Sequence, residues 1–370
     1  MRKILLTLLG ALALASLIAL PFLCTHSSML PDAATKYYEQ KAVDQAQNAT
    51  GAEAELMALL LGMAPAPAPA AEEEFSLSFS YYGLWLALGA VLSLALLFGR
   101  RSRMESALRP AVAAAALLSL PMGLLGGRLI YCLCNLPFYV SDISAPEAML
   151  YIWEGGLSLA GALLLIALVI FLCAKLWKVS AGKMLDHFTP SLLLFAALAF
   201  FASALEKIGF GPEFESALPL LSISVQDSLR LNTAFFTGLF LLALCVLSLF
   251  MQKKPAPGPL FARFALFFGA GMILLESLRR DGHMLWGFVH AEMAFDLLIA
   301  LASLLFLCKS KKKKALAFLA TLLFAGAVIG LEFALDRSSI GDIWLYLVYF
   351  VSVSAYIWLG CSCAKQAKGI

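Results

Sequence analysis

"GAGMILLESLRRD" sets Glu276 and Arg279 three residues apart, so both lie on one helix face and can pair. "LLGGRLIY" places Arg128 inside an apolar run, after two glycines that let another helix or a ligand approach closely. "HAEMAFDLL" carries Glu292 and Asp296 four residues apart, with His290 just before them. An ionisable group inside a membrane span is costly unless paired or solvated. Such positions are either interhelical salt bridges or functional groups, and for Arg128, Glu276 and Arg279 the functional reading is the stronger. Cations at that depth suit a lipid phosphate. Acids beside them suit proton transfer. "WEGGLSLAG" adds Glu154, Gly155, Gly156 and Ser158 where another apolar run begins, with two glycines for close backbone approach and two side chains that hydrogen-bond. Arg128, Glu154, Glu276 and Arg279 are expected to line one outward-opening polar cavity. Lys207, Arg280 and Glu332 read as interhelical or interfacial pairs, and the four histidines as interfacial. No Ser–His–Asp set, thiol–His pair, metal-ligand spacing or phosphate-cradling glycine loop stands out, so neither a metal nor a cofactor is expected.

The elements that must hold these residues are membrane helices. The chain has 370 residues, 62% hydrophobic and 14% charged, with a mean hydropathy of +0.88. Soluble domains carry about a quarter charged residues. Apolar runs long enough to cross about 30 Å of hydrocarbon recur along the chain. They fall at 4–23, 80–98, 111–134, 157–174, 188–205, 234–251, 260–278, 285–307, 315–335 and 343–360. Runs of this length without alternation span lipid as helices. The fold class is therefore an all-α polytopic membrane protein.

Lys and Arg gather in alternate connections: Arg100, Arg101, Arg103 and Arg109, then Lys175, Lys178 and Lys183, then Lys253 and Lys254, then Lys309 and Lys311 to Lys314. Positive charge marks the cytoplasmic side, which predicts both termini on the cytoplasmic side of a cell membrane. The net charge of +3 follows from this topology and is no argument for nucleic acid. Eight cysteines, most in or beside spans, read as small hydrophobes rather than a disulfide framework. The run 4–23 reads as an uncleaved anchor, with a removed signal peptide as the alternative. "APAPAPAAEEE" (64–74) reads as an extended external spacer.

From Tyr81 to about Leu307 the chain resembles the prolipoprotein diacylglyceryl transferases, bacterial enzymes that move diacylglycerol from phosphatidylglycerol onto a lipobox cysteine. "YYGLWLALG", with Tyr82, resembles the family's Tyr-Gly-Leu first core helix. "GGRLIY" is similar to its Gly-Gly-Arg segment, and "WEGGLSLAG" to its Trp-Asp/Glu-Gly-Gly-Met-Ser stretch. "DHFTPSLLL" resembles the opening of the next helix, and "GAGMILLESLRRD" a helix with a Glu-φ-φ-Arg end. Several family positions are replaced. The histidine of the Trp-Asp/Glu stretch falls on Ala160, one arginine on Phe200 or Phe201 depending on register, and another on Met272. The tyrosine near that second arginine falls on Phe268, and the His-Pro-Ser/Thr box on "LNTAFFT", with Leu231 at its head and Thr233 retained.

The resemblance implies a seven-helix transferase-like core at 80–308. Before it come an anchor (1–24) and an external Ala/Pro-rich tether (25–79). After it come a basic loop and two extra spans (309–370). It implies Arg128, Arg279, Gly155, Gly156, Ser158 and Tyr82 as substrate-binding residues, and Glu276 and Glu154 as catalytic ones. The implied partners are phosphatidylglycerol or another anionic phospholipid, and prolipoprotein signal peptides. Two functions remain open: a divergent transferase, or a non-catalytic member that keeps the lipid cavity for binding or scaffolding.

Overall fold

A computed structural model describes residues 2–23, 81–142, 146–150, 156–214, 218, 220–225, 228–251, 260–281, 284–286, 289–308, 310–338 and 341–366. Helices form at all ten apolar runs. They are α1 (Arg2–Leu23), α2 (Tyr81–Gly99), α3 (Arg109–Cys134), α4 (Leu159–Leu176) and α5 (Ala181–Leu205). Then follow α6 (Thr233–Met251), α7 (Leu260–Ser277), α8 (Ala291–Leu307), α9 (Lys311–Arg337) and α10 (Asp342–Gln366). Among the described residues, eight of these are long and apolar enough to cross a membrane. In α1 the apolar stretch is the shorter Leu6–Pro21, and α8 has 17 residues. Prolines 121 and 190 sit inside helices, as membrane helices tolerate when neighbours supply the lost hydrogen bonds. Cys245 Sγ donates to the Pro190 carbonyl at 3.2 Å.

The run 285–307 differs from the single span expected. Leu285–Trp286 (β3) pairs with Val289–His290 (β4), and the helix starts only at Ala291. The backbone before Ala291 is committed to that hairpin, and the Ala291 N–H donates to Met284 O at 2.8 Å. A second antiparallel hairpin, β1 (Ser222–Val225) with β2 (Ser228–Leu231), lies between α5 and α6.

Sequence-adjacent helices pair most closely: α3 with α4, α5 with α6, and α7 with α8. The α3–α4 crossing is tight because each helix offers a glycine. A Cβ on Gly126 would lie 2.5 Å from the Gly161 carbonyl oxygen and 2.6 Å from Leu165 Cβ. Helices α2 and α5 also pack together, with α1 against α2 and α3. The last two helices dock on α7 and α8 rather than standing apart. Phe324 stacks on Tyr356 at 4.6 Å, and the Thr321 and Tyr356 hydroxyls lie 2.7 Å apart. Tyr346 Oη donates to Ser277 O at 3.1 Å, tying α10 to the end of α7.

The connections after α3, α5 and α7 share one end of the bundle. Gly209 N–H donates to Asp281 Oδ2 at 3.0 Å, and Arg280 N–H to Phe210 O at 2.9 Å. Ser158 N–H donates to Gly127 O at 3.0 Å. Glu276, Arg279 and Glu292 collect under this end.

Candidate functional site

Glu276 occupies the last turn of α7, and Arg279 follows two residues beyond it. The i, i+3 spacing brings them together as expected, with Arg279 Nη1 donating to Glu276 Oε2 at 2.9 Å. The chain then turns so that Asp281 faces the same guanidinium. Arg279 Nε donates to Asp281 Oδ1 at 3.1 Å and Nη2 to Oδ2 at 2.7 Å, a bidentate pair. From α8, Glu292 Oε2 accepts a longer bond from Nη1 at 3.5 Å. Its other oxygen, Oε1, accepts from Ser158 Oγ at 3.1 Å. Ser158 Oγ also accepts from Gly161 N–H at 3.2 Å, capping α4. One chain of contacts thus runs from Gly209 through Asp281, Arg279 and Glu292 to Ser158 and α3.

These groups are buried: Arg279 is 8% exposed, Glu276 and Asp281 1%, and Asp296, one turn past Glu292, 3%. Burial alone would lower the Arg279 pKa, but the fields of Glu276, Asp281 and Glu292 outweigh it and raise it. The guanidinium is permanently charged and its Nε, Nη1 and Nη2 all point at carboxylates of the chain itself.

Beside this cluster, helices α1 to α5 line a partly open cavity of about 220 Å³. Its walls run from Tyr82 to Leu97 on α2, Ala116 to Gly127 on α3, Leu159 to Ile166 on α4 and Phe188 to Ser203 on α5. Leu20 closes one side, and Gly156, Ser158, Arg279 and Glu292 form a polar end. The remaining walls are mostly Leu, Phe, Ala and Ile. Such a space fits a hydrocarbon chain with a polar group at one end.

The residues expected at one cavity are divided by the structure. Arg279, Ser158, Gly156 and Tyr82 line it, while Glu276 stands behind Arg279. Gly156 adopts φ +68°, and a Cβ there would run into the Tyr131 ring, so the position requires glycine. Arg128 is buried at 3% exposure but turns to another neighbourhood. Its Nε donates to Met149 O at 3.0 Å, and its guanidinium lies 5.8 Å from the Tyr139 ring centroid. Helical spacing puts Arg128 on the face beyond Gly127, which itself is on the cavity wall. Glu154 and Gly155 lie outside the described residues.

Sequence reasoning missed Asp281. Its signal was the acid two residues after Arg279, readable only once the chain is known to fold back there. Phe200, Phe201, Phe268 and Met272, which the resemblance sets at family positions, share one apolar neighbourhood. Phe268 and Met272 are buried in one apolar cluster with Phe264, Leu193 and Leu241, against which Phe200 and Phe201 pack. Ala160 is buried on α4. Phe200 also forms part of the cavity wall.

The family model of prolipoprotein diacylglyceryl transferase matches residues 70–309. Among similar curated proteins are the phosphatidylglycerol–prolipoprotein diacylglyceryl transferases of Streptococcus pyogenes serotype M5 (strain Manfredo) and serotype M1. Each is 23% identical over 210 residues, covering 55% of this chain and 80% of the relative. With the match spanning most of the chain, and with its helices and buried polar end as described, this protein belongs to the prolipoprotein diacylglyceryl transferase family.

Proposed function

We propose that the chain binds a phospholipid in the cavity among α1 to α5 and has weak or absent diacylglyceryl transfer. The reaction in the relatives' name requires phosphatidylglycerol and a prolipoprotein. By the family resemblance, a cysteine thiolate displaces glycerol phosphate, so cations must hold a departing phosphate while the thiol loses its proton. The observation that carries the proposal is the state of Arg279, whose donors are committed to Asp281, Glu276 and Glu292. Four of its five N–H groups already serve these carboxylates, so a phosphate at the polar end of the cavity would meet a guanidinium largely neutralised by the chain itself. Met272 and Phe200 or Phe201 stand where the resemblance implies further cations, and they lie in or against one apolar cluster. The acyl chains would lie along Leu86, Leu120, Leu124 and Phe195, with the headgroup by Ser158 and Gly156 and Tyr82 beside it.

A divergent but active transferase is the second reading, favoured by retention of Arg128, Glu276 and Arg279. In it Arg128 and Arg279 hold phosphate, Gly155 permits close approach, and Glu276 and Glu154 handle protons.

The test of lipid binding is mass spectrometry of lipid retained by the full chain through detergent exchange. Ala162 lines the cavity, so Ala162→Trp should fill it. Wild type is expected to keep phospholipid, and A162W to lose it several-fold at an unchanged elution volume. Equal retention by both would reject the cavity as the binding place.

We further infer that both termini face the cytoplasm and that 25–79 is an external tether. The support is the Lys/Arg clustering in alternate connections. The core at 80–308 and the extension at 309–370 are read in the same frame. A reporter fused after Lys311 should read as cytoplasmic and one in the Ala-Pro spacer as external. The reverse pattern would overturn the orientation.

A further inference from the structure

Hydroxyls in membrane helices usually satisfy themselves on the carbonyl one turn back. Several here do so. Ser119 Oγ donates to Ala115 O at 2.7 Å, Ser203 to Ala199 O at 3.1 Å, Thr189 to Leu185 O at 2.8 Å and Ser303 to Ile299 O at 2.7 Å. Ser93 and Ser191 do not. They are 7% and 5% exposed, and neither Oγ has a hydrogen-bond partner among the described residues. Both line the cavity.

They also lie within about one helical turn of each other. Helices α2 and α5 are antiparallel, with Gly89 against Leu198 and Phe195, and Arg100 Nη1 donating to His187 O at 3.4 Å. Gly89 lies closest to Leu198, so Ser93, one turn onward on α2, comes level with Leu194, three residues from Ser191 on α5. The pair is therefore a second polar locus in an apolar cavity. Ser203 stands toward the Arg279 end of the wall, about 18 Å along α5 from Ser191 at 1.5 Å per residue. A buried hydroxyl with no partner is unfavourable, and an oxygen in the cavity supplies one.

We propose that Ser93 and Ser191 hydrogen-bond an oxygen carried on the hydrophobic chain of the bound lipid. The cavity then selects chains bearing a hydroxyl or carbonyl well below the headgroup. The proposal rests on the reading that this cavity seats a lipid.

The probes are monoolein and monoricinolein, which share headgroup, chain length and double bond and differ by one mid-chain hydroxyl. Affinities are measured on the full chain in detergent by displacement of a fluorescent fatty acyl probe. Monoricinolein is expected to bind about tenfold more tightly, equivalent to about 1.4 kcal/mol. The S93A/S191A double variant should bring the ratio close to one. S119A should keep the tenfold ratio, because its hydroxyl is already satisfied by Ala115. Equal affinities in the wild type, as expected if the serines hold only water, would overturn the proposal. So would a preference that survives S93A/S191A. If neither lipid binds, the cavity reading itself fails and takes this proposal with it.

Discussion

Replacing Arg279 by methionine is expected to destabilise the protein by about 3–5 kcal/mol, the usual cost of removing one partner from a buried ion pair. The expectation follows from what stays behind. Glu276 and Asp281 are 1% exposed, Glu292 is 7% exposed, and each has an oxygen facing the guanidinium. Methionine fills the volume but leaves these acids without their counter-ion in a poorly solvated place. The loss is specific to charge, which makes it separable from a packing defect. Combining R279M with E276Q, D281N and E292Q removes the uncompensated charge and should recover most of the stability, since a neutral cluster of similar volume is often tolerated. Thermal unfolding in detergent reads both. If R279M melts like wild type, or if the combined variant is worse than R279M alone, the cluster is not the electrostatic unit described.

The helices were legible because hydropathy over eighteen or more residues is a long-range average that no single contact overturns. The Glu276–Arg279 pair was legible because both partners lie on one turn, so their contact depends on helix geometry alone. The rest of the cluster depends on tertiary placement. Asp281 reaches Arg279 only because the segment after α7 is pinned to Phe210 and Gly209. Glu292 joins through a different helix and meets Ser158 from a third element, 134 residues away in sequence. Depth along a span, which put Arg128 and Arg279 at one level, says nothing of azimuth. Arg128 turns toward Tyr139 and Met149 rather than the cavity for that reason. Hydropathy also ran through Leu285 to His290, where local pairing makes a hairpin instead of a helical turn. Ser93 and Ser191 carried no signal at all. A serine in an apolar run normally bonds its own helix, and only the structure shows that these two do not.

The largest functional effect is expected in transfer itself. Catalysis of this kind depends on fixed donors placed where charge develops, and removing one such donor costs about 10²–10³ in rate. On the resemblance, Met272 and Phe200 or Phe201 stand where two cations would, and their loss would compound to roughly 10⁴ or more if the effects multiply. Arg279 is a weak substitute for them, since four of its five N–H groups face Asp281, Glu276 and Glu292. Lipid binding escapes this penalty, because it draws on the apolar walls and not on transition-state charge. The most direct measurement is therefore made in cells depleted of their own diacylglyceryl transferase and expressing this chain, with lipid attachment to a reporter lipoprotein followed by its gel shift and by mass spectrometry. Attachment no greater than in depleted cells with empty vector, from a protein that is present in the membrane and retains phospholipid, is the result expected. Full restoration of reporter lipidation would contradict it and establish that transfer proceeds without those two cations.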